Sequence, residues 1–192
     1  MQTANPSTSF RPGDHIVYPA HGVGRVMGVE KQSVAGIDLD VFVISFEQDK
    51  MTLRVPTTKA KASGMRPLAS GEVVTQAMKT LQGRARIKRT MWSRRAQEYE
   101  AKINSGDLVS IAEVVRDLYR ASDQPEQSYS ERQLFESALD RMARELAAVE
   151  KVDRDTAVQK VSASLALKKA RGAGEVAAAA DAEGESESAE AA

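Results

Sequence analysis

The feature that most constrains this chain is a change of hydrophobic texture at Arg66-Pro67. Before it, the stretches DHIVYPAHGVGRVMGVEKQ, LDVFVISFEQD and KMTLRVPTTKA give β-branched runs broken by Gly, Pro and Asp. Such residues suit a pleated, half-buried surface, and the breaks fall at the spacing of successive strands. Turn signals stand at residues 19–24, at Ala35-Gly36 and at Gln48-Asp49-Lys50. About five short strands within roughly sixty residues have too little area for a two-layer sandwich, so closing into a small barrel is the economical way to remove their edges.

After Arg66-Pro67 the strand signals vanish and a helical period takes over. Val73, Val74, Ala77, Met78 and Leu81 recur at helical spacing, as do Trp92, Ala96, Tyr99 and Ile103. Asp107 is placed to cap a helix that turns Leu108, Ile111, Val115 and Leu118 inward. Ser130 with Gln133 reads as a capping box opening a long helix with Leu134, Ala138, Leu139, Met142, Leu146 and Val149. A last helix is expected over 154–168, ending in cations and glycines. The fold class is therefore α+β in two domains, a small N-terminal β-barrel followed by an all-α helical domain of about five helices. The expected divisions are a disordered lead at 1–9, the barrel at 10–68, the helical domain at 69–170 and a disordered acidic tail at 171–192.

Composition narrows the chemistry. Aromatics are 5% of the chain, so the core is built mainly from aliphatic side chains, and the absence of cysteine removes disulfides, thiolate metal sites and a cysteine nucleophile together. No stretch approaches the length of apolar sequence that a membrane helix needs. His15 and His21 are the only histidines, without an HExxH frame, and read as turn histidines rather than metal ligands. HGVGRV lacks the Lys-Ser or Lys-Thr ending of a phosphate loop, so its glycines are assigned to a strand turn or bulge. No catalytic constellation emerges, and no cofactor, metal or small-molecule substrate is expected.

The formal net charge of zero conceals an asymmetry. Residues 175–192 hold six of the 27 acids and no cation, so the remainder carries an excess of about six positive charges. The densest cation run is RARIKRTMWSRR, with Arg84, Arg86, Lys88, Arg89, Arg94 and Arg95 around the single tryptophan, Trp92. Cations offer a surface for phosphates, and a large flat side chain among them can reach a base pair or groove wall. The same tryptophan on a helix equally suits a core anchor, and the run a solvated face.

FRPGDHIVYPAHGVGRV, then LRVP, then WSRR and GDLVSIAEVVRDLYR together resemble the CarD/CdnL family of bacterial transcription regulators. The resemblance spans residues 10–168. It implies a Tudor/SH3-like barrel that binds the RNA polymerase β subunit, and a helical domain that contacts promoter DNA at the upstream edge of the transcription bubble. It also implies a cytoplasmic protein associated with the nucleoid through polymerase. Arg54 matches a polymerase-contacting arginine, Trp92 the tryptophan wedged into the minor groove, and Arg94 and Arg95 basic DNA contacts. A second polymerase-contacting basic position falls at Gln32, beside Lys31, and a basic position two places after the double arginine falls at Gln97. On residue character, Met51, Leu53, Val55 and Pro56 around Arg54 suit an edge strand that a partner sheet extends, and Arg86, Lys88 and Arg89 suit further phosphate contacts. A second reading is a Tudor/KOW-like module that binds RNA or ribosomal protein through the same cations.

Overall fold

The computed structural model describes residues 10–34, 36–120 and 127–167. The expected disordered lead and acidic tail lie outside these residues. Five strands, β1 (His15–Tyr18), β2 (Gly22–Val34), β3 (Ile37–Phe46), β4 (Met51–Pro56) and β5 (Arg66–Pro67), form one antiparallel sheet in the order β4-β3-β2-β1-β5. Two glycines of HGVGRV explain why the strands can curl so tightly. Gly22 leaves the turn after β1 at φ +77°, a conformation that favours glycine. Gly24 lies against β3, where a Cβ would stand 2.7 Å from the Phe46 ring and 2.8 Å from Ile44. A bulge between Val26 and Gly28 then bends β2, as bulges at barrel rims do.

The curled sheet encloses Ile16, Val26, Phe42, Ile44, Phe46 and Val55. Its edges β4 and β5 do not pair with each other among the described residues, so the small barrel expected from the sequence is not closed by a final ladder. Residues 57–65 span that gap and place Ala60 and Met65 in the same core.

The helical half comprises α1 (Gly71–Gln82), α2 (Trp92–Asn104), α3 (Leu108–Leu118), α4 (Tyr129–Glu150) and α5 (154–167). Eight of the eleven residues of α3 are buried, which makes it the central helix, packed by α1, α2 and α4. Asp107 caps it as expected, accepting from the Ser110 backbone N–H at 2.8 Å. The capping box of α4 is Ser128 with Glu131, two residues before the expected Ser130 with Gln133. Both spacings fit the pattern, but the Glu131 carboxylate accepts from the Ser128 N–H at 3.1 Å with a full charge at the helix N-terminus, which the Gln133 amide cannot supply.

The halves are joined by polar contacts through buried groups. Glu145 of α4 is 2% exposed. Its two carboxylate oxygens accept from the two terminal nitrogens of Arg66 at 2.7 and 2.9 Å, and one also accepts from the Ala69 N–H at 3.0 Å. Arg66 Nε donates to the Gly106 carbonyl at 2.9 Å, so one side chain ties β5 to both α4 and the α2–α3 turn. Arg141 of α4 donates to the carbonyls of Pro19 and Ala20 at 2.7 and 2.6 Å. Gly106 sits at φ +73° with a would-be Cβ 3.1 Å from Pro19 Cα, so the turn after β1 presses on a position without room for a side chain. Gly106→Ala should therefore lower unfolding free energy by about 1–3 kcal/mol, from strain and crowding together. Gly28→Ala, with nothing within 4 Å, should change it by less than about 1 kcal/mol. Urea denaturation of the two variants checks the contrast.

Candidate nucleic-acid interface

The segment between α1 and α2 is held by one buried carboxylate. Asp117 on α3 is 3% exposed, and its Oδ1 accepts from the Arg86 backbone N–H at 2.9 Å and from Arg116 Nε at 2.8 Å. Because Asp117 takes the backbone of Arg86, the side chains of Arg84, Arg86, Lys88 and Arg89 stay exposed. Lys88 is partly neutralised by Glu98 of α2 at 2.7 Å, and this hydrogen bond holds the Glu98 carboxyl below its ordinary range. Burial, with the Asp117 carboxylate next, pushes the Tyr99 phenol up and keeps it neutral beside this cation cluster.

Helix α2 then divides the expected DNA contacts between two faces. Trp92, its first residue, is partly buried and packs against the helical core. The Arg95 guanidinium lies 5.4 Å from the Trp92 ring centroid, and its Nε is buried without a hydrogen-bond partner among the described residues. Arg95 thus braces the indole from one side, a contact worth about 0.5–2 kcal/mol depending on desolvation. Arg94 is exposed, pointing away from that packing. Met91, the N-cap, is 80% exposed and makes no side-chain capping bond, so α2 forgoes the roughly 1 kcal/mol that Ser, Thr, Asp or Asn would add there. An open groove of about 550 Å³ runs over Arg89, Thr90, Met91, Ser93, Arg94 and Gln97, with no acid in its lining.

On the sheet, β4 is an edge strand, and Arg54 projects outward from it to Glu30 of β2 at 3.3 Å. Lys31 and Gln32 lie on the exposed stretch of β2, paired with Asp40 and Leu39. Val55 is in the sheet core and Met51 and Leu53 pack against it, which leaves their backbone, not their side chains, for a partner strand. Pro56 ends the edge without an N–H. His21 stacks on Tyr18 with centroids 5.7 Å apart, placing it in the turn. Among the described residues no cluster of three or more His, Asp or Glu is arranged to hold a metal ion, and no helix is long and apolar enough to cross a membrane.

Residues 10–69 match the CarD-like/TRCF RID domain and residues 76–162 the CarD C-terminal domain. Bacillus subtilis (strain 168) has a similar protein described as putative transcription factor YdeB. It is 30% identical over 137 residues, covering 71% of this chain and 90% of that protein. Two solved N-terminal domains from Myxococcus xanthus are also similar. CdnLNt is 37% identical, covering 35% of this chain and 96% of its own, with a TM-score of 0.29. The 72-residue N-terminal domain of CarD is 35% identical, covering 36% and 96%, with a TM-score of 0.27.

Sequence reasoning missed Asp117, Glu145, Arg66 and Arg141. Glu145 had a signal, since it stands three residues after Met142 and seven after Ala138, on the apolar stripe of α4. A charge there implies a buried partner. Asp117 is the group on which the basic segment depends. Asp117→Ala should cost about 1.5–3 kcal/mol, the range for a hydrogen bond to a charged group. It should also free the 84–89 backbone, read as faster tryptic cleavage at Arg84 to Arg89 under native conditions.

Proposed function

The chain belongs to the CarD family, and from that membership we propose that it is a transcription regulator that binds the RNA polymerase β subunit and promoter DNA together. In this reading residues 10–68 are the tether. The exposed backbone of β4 offers hydrogen-bonding groups to a partner strand, and Arg54 offers the charge. The Arg54–Glu30 pair is about half exposed on both sides, and pairs of that kind contribute about 0–1 kcal/mol, so Arg54 can exchange Glu30 for an acid of the partner at little cost. Gln32 lies two residues beyond Glu30 on β2 and shares its face, and Lys31 between them lies on the other.

Residues 69–170 form the DNA-binding part. The observation that carries the proposal is the acid-poor exposed cation surface of 84–95, fixed to α3 by Asp117 and braced against the sheet through α4. Arg94, Arg86 and Arg89 hold phosphates by charge, with Lys88 joining when it leaves Glu98. Arg95 has a different part, holding the indole of Trp92 so that its exposed edge meets the distorted duplex at the upstream edge of the bubble. Tethering raises the effective concentration of this surface at the promoter, so weak intrinsic DNA affinity suffices. Contacts made better with melted than with closed DNA raise the open-complex population, and about 1–3 kcal/mol of difference shifts it some 5- to 150-fold. No chemistry on a substrate is needed.

A promoter-opening assay with purified polymerase tests both ends. Trp92→Ala should unfold at somewhat lower denaturant because the ring is partly buried, yet remain folded at working temperature, bind polymerase normally and lose the lengthening of open-complex lifetime. Arg54→Glu should lose β-subunit capture while its helical signal stays intact. Binding to structured RNA with no effect on promoter opening by the native chain would favour an RNA-binding module instead.

A further inference from the structure

We propose that the crevice between the sheet and the α4–α5 corner is a binding site for the phosphate group of a small phosphomonoester, no larger than a mononucleotide. The crevice is open and holds about 340 Å³, at the lower end of the sizes that small-molecule sites take. Its floor is a row across three neighbouring strands. His15 of β1 stands opposite Arg25 of β2, which stands opposite Ser45 of β3, and side chains in such a row lie about 4.5–5.5 Å apart at Cβ. The facing wall comes from the helical half, where Arg144 of α4 and Arg154 of α5 line the crevice with Ala147 and Ala148. The two alanines leave room between the arginines and the strands.

Several observations point to an anion as the occupant. Three guanidinium groups line the crevice against one carboxylate, that of Glu47. Arg25 is exposed, and its side chain makes no ion pair or hydrogen bond among the described residues, so its whole fork is on offer. The Arg144 Nε is closed to solvent and has no acceptor among the described residues, and a buried donor left in this way calls for an acceptor from outside. Asp140, outside the lining, pairs with Arg144 and accepts from Arg154 Nε at 2.8 Å, and Arg154 also meets Asp155 at 3.5 Å. Arg154 is therefore largely neutralised, and Arg25 and Arg144 carry the site. The C-terminal turn of α4 and the N-terminal turn of α5 meet here with opposed dipoles, so the side chains decide the sign.

A phosphate group suits this set better than a carboxylate does. A monoester has three free oxygens, enough for the Arg25 fork, the Arg144 Nε and the Ser45 hydroxyl, with a ring N–H of His15 present in either protonation state. Val23 and Val152 complete the lining with apolar surface that an inorganic ion would not use and an organic ester would. Because the lining is drawn from both halves, an occupant favours the docked arrangement of sheet and helices. None of these residues belongs to the 84–95 segment, and the site needs neither DNA nor polymerase.

Calorimetric titration of the full-length chain in phosphate-free buffer tests the site, with AMP, ribose 5-phosphate, adenosine and inorganic phosphate as probes. AMP and ribose 5-phosphate should each bind once per chain and raise the thermal midpoint, adenosine should not bind, and inorganic phosphate should bind more weakly than the esters. Arg25→Ala should leave the midpoint of the free chain unchanged, because the side chain is exposed and unpaired, and should weaken ester binding at least about tenfold. Arg94→Ala, on the other cation surface, should bind the esters as the native chain does. Absence of ester binding at millimolar concentration overturns the proposal, as does native affinity in Arg25→Ala. An equal loss in Arg94→Ala would put the anion on the 84–95 surface and overturn it too. Adenosine binding as tightly as AMP would remove phosphate as the recognised group, and inorganic phosphate binding as tightly as AMP would sink the ester. None of these readouts involves promoter opening, so failure here and failure of the proposed function are told apart.

Discussion

The ion pair between Arg66 and Glu145 is the interaction on which the rest of the structure depends. A carboxylate that is 2% exposed is several kcal/mol too costly to bury alone. Here both oxygens meet the fork of one guanidinium, and the Ala69 N–H takes a further lone pair. Such a pair adds little net stability over an apolar substitute, but its geometry is demanding, and only one placement of β5 against α4 satisfies it. The same Arg66 reaches the Gly106 carbonyl, and Arg141 reaches the turn after β1, so β5, the α2–α3 turn and the turn after β1 are all tied to α4 by two arginines. The outward arginine of β4 and the N-terminus of α2 are thereby held in one frame.

Within that frame the charges are arranged by carboxylates rather than by cations. Asp117 restrains the basic segment through its backbone and leaves the side chains exposed, while Glu98 and Glu30 hold Lys88 and Arg54 in exposed pairs that exchange readily. On the proposed function, such a surface is ordered before its partner arrives, which lowers the entropy lost on association. The apolar part follows the same logic, with a partly buried ring braced by Arg95.

Most of the secondary structure was legible because it depends on near neighbours. The β-branched runs, the cap at Asp107, the start of α2 at Trp92 and the glycine turns are all set within a few residues. The capping box of α4 was misplaced by two positions because Q-S-Y-S-E-R-Q contains two Ser-x-x-(Glu/Gln) frames, and the choice between them turns on a charge at the helix end. What joins the halves was not legible: Arg66 and Glu145 are 79 residues apart, and Arg141 binds carbonyls, which leave no trace in the sequence. Around the site, the periodicity that gave strand β4 did not say that Met51, Leu53 and Val55 turn inward. The cation run gave the patch, but not the division by which Arg94 faces solvent and Arg95 faces the indole.

The most direct test of a single body is a distance. The chain has no cysteine, so cysteines introduced at the exposed Thr52 of β4 and Glu100 of α2 can be spin-labelled without background. Pulsed dipolar spectroscopy on the free protein should give one narrow distance distribution, which broadens when Glu145→Ala is added. A broad or multimodal distribution in the otherwise native chain would contradict the account, because the sheet and the basic helix would then move independently.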